Sequence, residues 1–233
     1  MASEFVHLHN HSDYSLLDGA QTVQTLVNTI DDLGMDSVAL TEHGNMFSVI
    51  PYYKSAKKAG VKPIIGCETY VAMGSRLDKK PRADGGWGNN HLVLLAQNYA
   101  GYKNLMKLVT YGYLDGFYYR PRIDIDLLKE HSEGLICLSG CLKGEITEKM
   151  LKDDWDGAKE AALRFAEIFD GNFYLEVQNH GIPAEIQNIQ NMKKLASELD
   201  LPLVCTNDAH YAKHEHWEAH DVHICLGTGD RKS

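Results

Sequence analysis

Short apolar runs rich in β-branched residues alternate along the chain with longer stretches in which apolar residues recur at helical spacing. The short runs have the length of buried strands, and the longer stretches have the length of surface helices. We predict seven strands, at residues 5–9, 37–41, 63–71, 91–96, 135–139, 173–177 and 201–206. We predict six helices, at residues 22–33, 47–59, 102–113, 145–151, 155–169 and 184–199.

This alternation of strands and helices predicts an α/β fold in which helices cover a parallel sheet. The strands are almost continuously apolar, which is typical of strands that are covered on both faces. A closed barrel and an open doubly wound sheet both fit the pattern. In either architecture, functional side chains collect at the carboxyl ends of the strands.

Side chains that commonly bind metal ions stand at five of the seven predicted strand ends. The first strand ends in His9 and His11, and their i, i+2 spacing in extended chain points both rings the same way. The other ends carry Glu42 and His43, then Glu68, then Cys141, and finally Asp208 and His210, while Asp18 lies shortly after the first strand. His91 begins its strand, so the strand pattern alone leaves it outside this group.

Each of these residues has a commoner explanation when it is taken alone. A single histidine at a strand end is usually solvated, and an aspartate there usually caps a helix. Packing does not explain their convergence, because carboxylates that are held together repel one another. Divalent metal ions would neutralise them, and a mixture of imidazole, carboxylate and one thiolate favours zinc, manganese or iron over calcium or magnesium.

The composition of the chain excludes several classes of protein. The 233-residue chain has a formal net charge of −9 and 12 histidines, roughly twice the share of an average protein. The acidic balance argues against broad nonspecific binding of nucleic acid, although a few local cations could still hold such a substrate. The five cysteines are an odd number at irregular spacing, which disfavours a disulfide framework, and they include no CxxC pair, which disfavours a structural zinc finger. With no long apolar run and no signal-like start, we expect a cytoplasmic protein without a membrane partner.

Several stretches taken together resemble the PHP (polymerase-and-histidinol-phosphatase) family. They are H-N-H at 9–11, T-E-H-G at 41–44, G-C-E at 66–68, H-L-V-L-L-A at 91–96, L-S-G-C at 138–141 and N-D-A-H at 207–210. The stretches at 11–19, 100–105 and 220–229 are similar to the N-terminal PHP domains of bacterial replicative DNA polymerases. The resemblance implies one domain over residues 1–233 with the fold of the family, a distorted (β/α)7 barrel, which agrees with the seven predicted strands.

The resemblance also implies a set of metal ligands, because nine residues hold three divalent ions in this family. Here they correspond to His9, His11, Asp18, His43, Glu68, His91, Cys141, Asp208 and His210. One ion would bind to His9, His11, Glu68 and Asp208, a second to Glu68, His91 and Cys141, and a third to Asp18, His43 and His210. Glu68, Asp208 and His210 would serve in catalysis. The sequence departs from the family at Glu42, where aspartate is more usual. This difference affects the hydrogen bonds around the ligands and removes no ligand.

A complete ligand set implies metal-dependent hydrolysis of phosphodiester bonds, and specifically a 3′–5′ exonuclease that proofreads the primer 3′ end. Zinc, manganese or iron would be the cofactors, up to three ions in all. Arg120, Arg122 and Lys143 are candidate phosphate contacts, although solvated surface charge is the commoner role of such residues. The implied partners are DNA, the remaining domains of a polymerase, a separate exonuclease subunit and other replisome proteins.

Two other functions fit the same residues. The chain could be a non-catalytic module, stabilised by its metal ions, that braces a polymerase or docks a separate proofreading exonuclease. It could also be a free-standing phosphatase for a small ester, which the replicase-like stretches disfavour. The aspartates that a polymerase needs for nucleotidyl transfer are not identifiable, so we expect a fragment of a larger protein that does not itself synthesise DNA.

Overall fold

Strands and helices alternate in the computed structural model, which describes residues 5–16, 18–81 and 88–229. The strands are β1 (Ser37–Leu40), β2 (Lys62–Ala72), β3 (Asn89–Ala96), β4 (Arg122–Ile123), β5 (Leu135–Leu138), β6 (Phe173–Val177) and β7 (Leu203–Cys205). The helices are α1 (Val23–Asp32), α2 (Val49–Ala59), α3 (Tyr99–Leu114), α4 (Ile125–Glu130), α5 (Glu145–Leu151), α6 (Trp155–Phe169), α7 (Pro183–Leu199) and α8 (Trp217–Thr228). Within these described ranges, every helix is too short or too polar to cross a lipid bilayer.

The strands form one curved sheet in the order β1-β2-β3-β5-β6-β7, with β4 paired to β2. The predicted α/β fold is therefore confirmed, but the predicted all-parallel arrangement is wrong at β3. This strand runs antiparallel to both β2 and β5, whereas β1–β2, β5–β6 and β6–β7 are parallel. The sequence contains no predicted helix between β2 and β3, and a parallel pair needs a long crossover connection, usually helical. That missing helix was the signal for an antiparallel pair.

The N-terminal segment connects the two edges of this sheet. His7 forms a parallel bridge to Val38 in β1, and Asn10 forms one to Ala209, which follows β7. The predicted strand at residues 5–9 is thus replaced by isolated bridges, and the side-chain amide of Asn10 donates further hydrogen bonds to the carbonyls of His7 and Ala39. These bridges close the sheet into the predicted distorted barrel.

The apolar core lies on both sides of the sheet. Successive side chains of β3 point to opposite faces of the sheet, so alternate residues of this strand pack on different sides. Leu94 packs outward with Leu105 of α3 and Phe165 of α6, and Val93 packs inside the barrel with Leu138 of β5. His91 lies on the same face as Val93, two residues earlier, so the strand directs its ring to the inside of the barrel at one end.

Among the described residues, one strand and two α-helices were not predicted. β4 has two residues and α4 has six, which are too few to establish a period in the sequence. α8 has twelve residues, but its apolar positions are not gathered on one face and none of its residues is buried. The six predicted helices are all present, and the ends of α5 and α6 coincide with their predicted limits.

We predict that two glycines of the same helix respond oppositely to alanine. A Cβ on Gly101 would lie 1.8 Å from the carbonyl oxygen of Gly134, whereas a Cβ on Gly112 would meet nothing closer than 3.4 Å. We expect Gly101→Ala to destabilise the fold by about 1–3 kcal/mol or more, because the backbone must move apart. Gly112→Ala should be neutral or stabilising by up to about 1 kcal/mol. Urea denaturation of both variants measures the difference, and equal stabilities would contradict this packing.

Candidate metal centre

The structure brings the nine predicted ligands together at the end of the barrel where most strands finish. His91 joins them because β3 is antiparallel, so that the beginning of this strand lies beside the carboxyl ends of its neighbours. Tyr70 near the end of β2 pairs with His91, and Leu138 at the end of β5 pairs with Val93. The strand pattern left out this histidine only because it assumed that all strands were parallel.

Glu68 of β2 is the centre of the cluster and is 1% exposed. One of its carboxylate oxygens, Oε2, lies 3.4 Å from His9 Nε2, 3.2 Å from His11 Nε2 and 2.8 Å from His43 Nδ1. The other, Oε1, lies 2.7 Å from His91 Nδ1. Four imidazoles from three different parts of the chain therefore surround a single buried carboxylate.

Asp208 lies against the same group from the opposite side of the barrel. Its Oδ1 atom is 3.2 Å from Nε2 of His9 and 3.2 Å from Nε2 of His11. The residue adopts a left-handed backbone conformation with φ of 46°. Aspartate tolerates this region better than most residues, and the turn carries the carboxylate back over the end of the barrel.

Asp18 connects the remaining histidines. Its Oδ2 atom lies 2.8 Å from His43 Nε2 and 3.4 Å from His210 Nε2. The rings of His43 and His210 both stack on His11, with centroids 4.0 and 4.4 Å away. The Sγ atom of Cys141 is 3.9 Å from both Glu68 Oε1 and His91 Nδ1, at the edge of the cluster.

Five buried atoms in this cluster lack a hydrogen-bond partner although they face one another. They are His9 Nε2, His11 Nε2, His43 Nδ1, Glu68 Oε2 and Asp208 Oδ1. Leaving a buried polar atom unsatisfied costs about 1–3 kcal/mol, so such a concentration needs compensation. Nitrogen and carboxylate oxygen atoms arranged in this way fit divalent cations, which accept lone pairs from both.

Among the residues that the structure describes, three groups of side chains are compact enough to hold an ion, with the ligand atoms of each group within 4.8 Å of one another. They are His9, His11, Glu68 and Asp208; His43, Glu68 and His91; and His11, His43 and His210. The first group coincides with a predicted ligand set. The second group has His43 in place of the predicted Cys141. The third group has His11 in place of the predicted Asp18.

The charges of this cluster shift the pKa values of its members. Burial alone would lower the pKa of His43, but the carboxylates of Glu68 and Asp18 outweigh it and raise this pKa to about 9. Burial likewise opposes protonation of His9, yet Asp208, Glu176 and Glu68 raise its pKa well above the usual range. Against the effect of burial, His91, His9 and His43 hold the pKa of Glu68 well below its usual range. These shifts favour the protonated forms of His9 and His43 and the ionised form of Glu68.

Two buried glutamates outside the ligand set orient the histidines. Glu176 of β6 lies 2.8 Å from His9 Nδ1 and accepts a hydrogen bond from the Gly140 amide. Sequence reasoning missed it, although a glutamate inside an otherwise apolar strand was a usable signal. Glu42 accepts hydrogen bonds from the Ser12 amide and the Ser15 hydroxyl, and Ser15 Oγ lies 3.0 Å from His11 Nδ1. The longer side chain at position 42 therefore still makes bonds that hold a ligand histidine.

The three candidate phosphate contacts occupy different environments. Arg120 and Lys143 are exposed, and both line a cavity of about 500 Å³ beside the cluster. Arg122 is 2% exposed and donates to the carbonyls of Gly116, Arg76 and Asp78. These bonds give Arg122 a structural role in place of the predicted phosphate contact. Its pairing in β4, which the sequence did not reveal, explains the burial.

Comparison with known proteins identifies relatives of this arrangement. The model of the PHP domain family matches residues 7–180. The chain is 48% identical over 231 residues to the DNA polymerase III subunit alpha of Borreliella burgdorferi and 43% identical over 225 residues to that of Thermus aquaticus. These matches cover 99% and 96% of this chain, but the chain spans only about a fifth of the length of those relatives.

Solved structures with little sequence identity share the fold. An amidohydrolase from Chromobacterium violaceum, solved with sulfate and no metal, is 12% identical and superposes with a TM-score of 0.52 over 94% of this chain and 96% of its own. Histidinol phosphate phosphatase from Lactococcus lactis, solved with zinc, L-histidinol and phosphate, is 13% identical with a TM-score of 0.51 over 97% and 94%. Residues 181–229 lie beyond the family match, yet they supply β7, Asp208 and His210 to this barrel.

We predict that metal binding releases protons from the cluster. Imidazole must be neutral to bind a metal ion, and the pKa of His43 is raised to about 9. At pH 7.5 zinc would displace at least one proton, and its apparent affinity should rise as the pH rises towards 9, by about tenfold per unit for each proton released. Calorimetric titration in two buffers with different ionisation enthalpies measures the number of protons. The exposed His214→Asn variant is the control, and pH-independent binding without proton release would contradict the prediction.

Proposed function

The chain belongs to the PHP domain family, and from this premise we propose that its nine-residue cluster binds up to three divalent ions and hydrolyses phosphodiester bonds. The observation that carries the proposal is the set of five buried ligand-type atoms that face one another without hydrogen-bond partners. A structural hydrogen-bond network would satisfy these atoms, whereas a metal centre leaves them available. Zinc, manganese and iron suit such a mixture of imidazole and carboxylate.

We further propose that the substrate is the 3′ end of a DNA strand and that the activity is a 3′–5′ exonuclease. The similarity to DNA polymerase III alpha subunits supports this choice, because proofreading removes nucleotides from the primer end. On this view residues 1–233 form one domain of a cytoplasmic DNA polymerase. Its partners would be the remaining polymerase domains, DNA, and in the replisome a separate exonuclease subunit and other proteins.

The cluster opens onto a cavity of about 600 Å³, which is large enough for a nucleotide. Asp18, His43, His91, Cys141, Asp208 and His210 are among its lining residues. Glu68 is buried beneath them, so we assign it to holding ions and not to contacting substrate. Exposed Lys143 also lines this cavity and would bind a phosphate oxygen.

In the mechanism, bound ions would polarise the phosphoryl group and lower the pKa of a water molecule, so that hydroxide would be available to attack phosphorus. Asp208 lines the cavity, and despite burial its pKa is lowered by His9 and His11, so its carboxylate is ionised and can accept a proton from that water. His210 lines the same cavity, and Asp18 and Asp208 raise its pKa against the effect of burial. As a ligand of the third ion it would have to be neutral, so it would present Nε2 to that ion, and a water molecule would protonate the departing 3′ oxygen.

A second candidate function is a metal-stabilised module that supports a polymerase without hydrolysing anything. The same unpartnered atoms favour it, because ions bound to ligands from several strand ends would hold the barrel together whether or not a substrate is cleaved. The two functions are compatible, and only turnover distinguishes them. A small-ester phosphatase is disfavoured by the identity to polymerase subunits, and faster turnover of a phosphomonoester than of DNA would restore it.

We predict that Asp208→Asn lowers release of the 3′ nucleotide by at least about 100-fold, because asparagine accepts no proton and is a weaker ligand. The assay uses single-stranded DNA labelled at its 3′ end, with Mn²⁺ or Zn²⁺. Asp200→Asn is the matched control, since Asp200 is exposed, follows α7 and has a similar left-handed φ of 52°. If wild type and Asp208→Asn release label equally slowly, the exonuclease proposal fails.

We also predict that removal of the metal ions destabilises the chain. At an ion concentration about 1,000 times the dissociation constant, binding stabilises the folded state by about 4 kcal/mol. For a chain of this length that corresponds to a rise in melting temperature of roughly 8–16 °C. Scanning calorimetry with and without a chelator tests this, and an unchanged melting temperature would contradict metal binding in both candidate functions.

A further inference from the structure

Two cavities meet at the cluster, and neither is a closed pocket with the cluster at its base. The first has a volume of about 600 Å³ and the second about 500 Å³. Both are lined by Asp18, His43, His91, Leu142 and Lys143, so these residues form the boundary between them. The cluster can therefore be approached from two sides.

This arrangement distinguishes between classes of phosphate ester. A small monoester has one organic group and needs one cavity. A phosphodiester within a polynucleotide has a nucleoside on each side of the phosphorus atom, and each cavity is large enough to hold one. Two cavities that flank the cluster therefore fit an internucleotide bond placed between them.

The second cavity is lined by two cations and a tyrosine ring. Exposed Arg120 lines it, with the guanidinium 5.8 Å from the centre of the Tyr70 ring, which lines it as well. Lys143 provides a second exposed positive charge on the boundary with the first cavity. Cations beside aromatic faces are the usual elements of surfaces that bind single-stranded nucleic acid.

Tyr119 is the residue before Arg120 and therefore lies next to this cavity in the chain. Its side chain is 60% exposed, and its backbone has a φ of 59°, which is unusual for a bulky residue. The turn is held by a hydrogen bond from the Tyr118 amide to the Arg120 carbonyl and by edge-to-face contact between the rings of Tyr118 and Tyr119, 4.8 Å apart. A strained backbone that keeps an aromatic ring in solvent indicates a function other than packing.

We propose that the second cavity is a nucleotide subsite, in which Arg120 binds a backbone phosphate and Tyr119 stacks on a base of the strand as it leaves the cluster. This proposal rests on the proposed hydrolysis of phosphodiesters, and the subsite would determine which substrates are hydrolysed. It makes single-stranded polynucleotide the substrate and disfavours short esters. Arg120 and Tyr119 contact the strand beyond the reacting phosphate, so they determine which substrate is bound and do not act on the bond.

The test compares two substrates of different length with Arg120→Ala and Tyr119→Ala. One is a 5′-fluorescein-labelled thymidine decamer, and the other is methyl p-nitrophenyl phosphate, a diester too small to occupy both cavities. Fluorescence anisotropy in EDTA measures decamer binding independently of turnover, and cleavage of both substrates is measured with Mn²⁺. Tyr99→Ala and Lys103→Ala are matched controls, since they form an exposed tyrosine–cation pair on α3, with Lys103 Nζ 4.7 Å from the ring centre.

We expect each subsite variant to bind and cleave the decamer about tenfold less well, since one stacked base, or one hydrogen-bonded contact to a charged phosphate, contributes on the order of tenfold in affinity. Cleavage of the small diester should stay within about twofold of wild type, and both controls should behave as wild type. Equal losses on the two substrates would overturn the subsite, because the residues would then act on the cluster. Unchanged decamer binding would overturn it too. If wild type cleaves neither substrate, the proposed hydrolysis fails, and anisotropy still decides whether the subsite exists.

Discussion

The contact between one buried carboxylate and four imidazoles is the constraint on which the rest of this structure depends. Glu68 is 1% exposed, and its two oxygens lie 2.7 to 3.4 Å from His9, His11, His43 and His91. Packing gains nothing from this arrangement, because it buries charge and leaves ligand-type atoms without hydrogen-bond partners. The barrel brings the five side chains together, and divalent ions would supply the energy that their burial costs.

The alternation of strands and helices and the chemistry of the strand ends predicted the fold class and most of the cluster. They were sufficient because the carboxyl ends of parallel strands meet at one end of a barrel whatever the details of packing. His91 shows the limit of this reasoning. Its position follows from the direction of β3, and strand direction depends on how the strands pair, although the lack of a helix between β2 and β3 indicated it.

The remaining differences between the prediction and the structure also depend on residues that are far apart in the sequence. Arg122 and Arg120 are two residues apart and were equivalent in the sequence, yet β4 buries Arg122 against three backbone carbonyls and leaves Arg120 exposed at a cavity. Glu176 and His9 are 167 positions apart and meet at 2.8 Å. Local periodicity carries no information about such pairs, because their distance is fixed by the register of the sheet and by the N-terminal segment that closes the barrel.

Metal content tests the central account most directly. Elemental analysis of the purified full chain should give two to three equivalents of zinc, manganese or iron in the wild type, within the limit of three ions proposed above. Glu68→Gln should retain less than half of that content, because each of the four imidazoles would lose one charged partner, while the exposed His214→Asn variant should match wild type. Less than one ion per wild-type chain after incubation with excess metal, or equal contents in wild type and Glu68→Gln, would contradict the account.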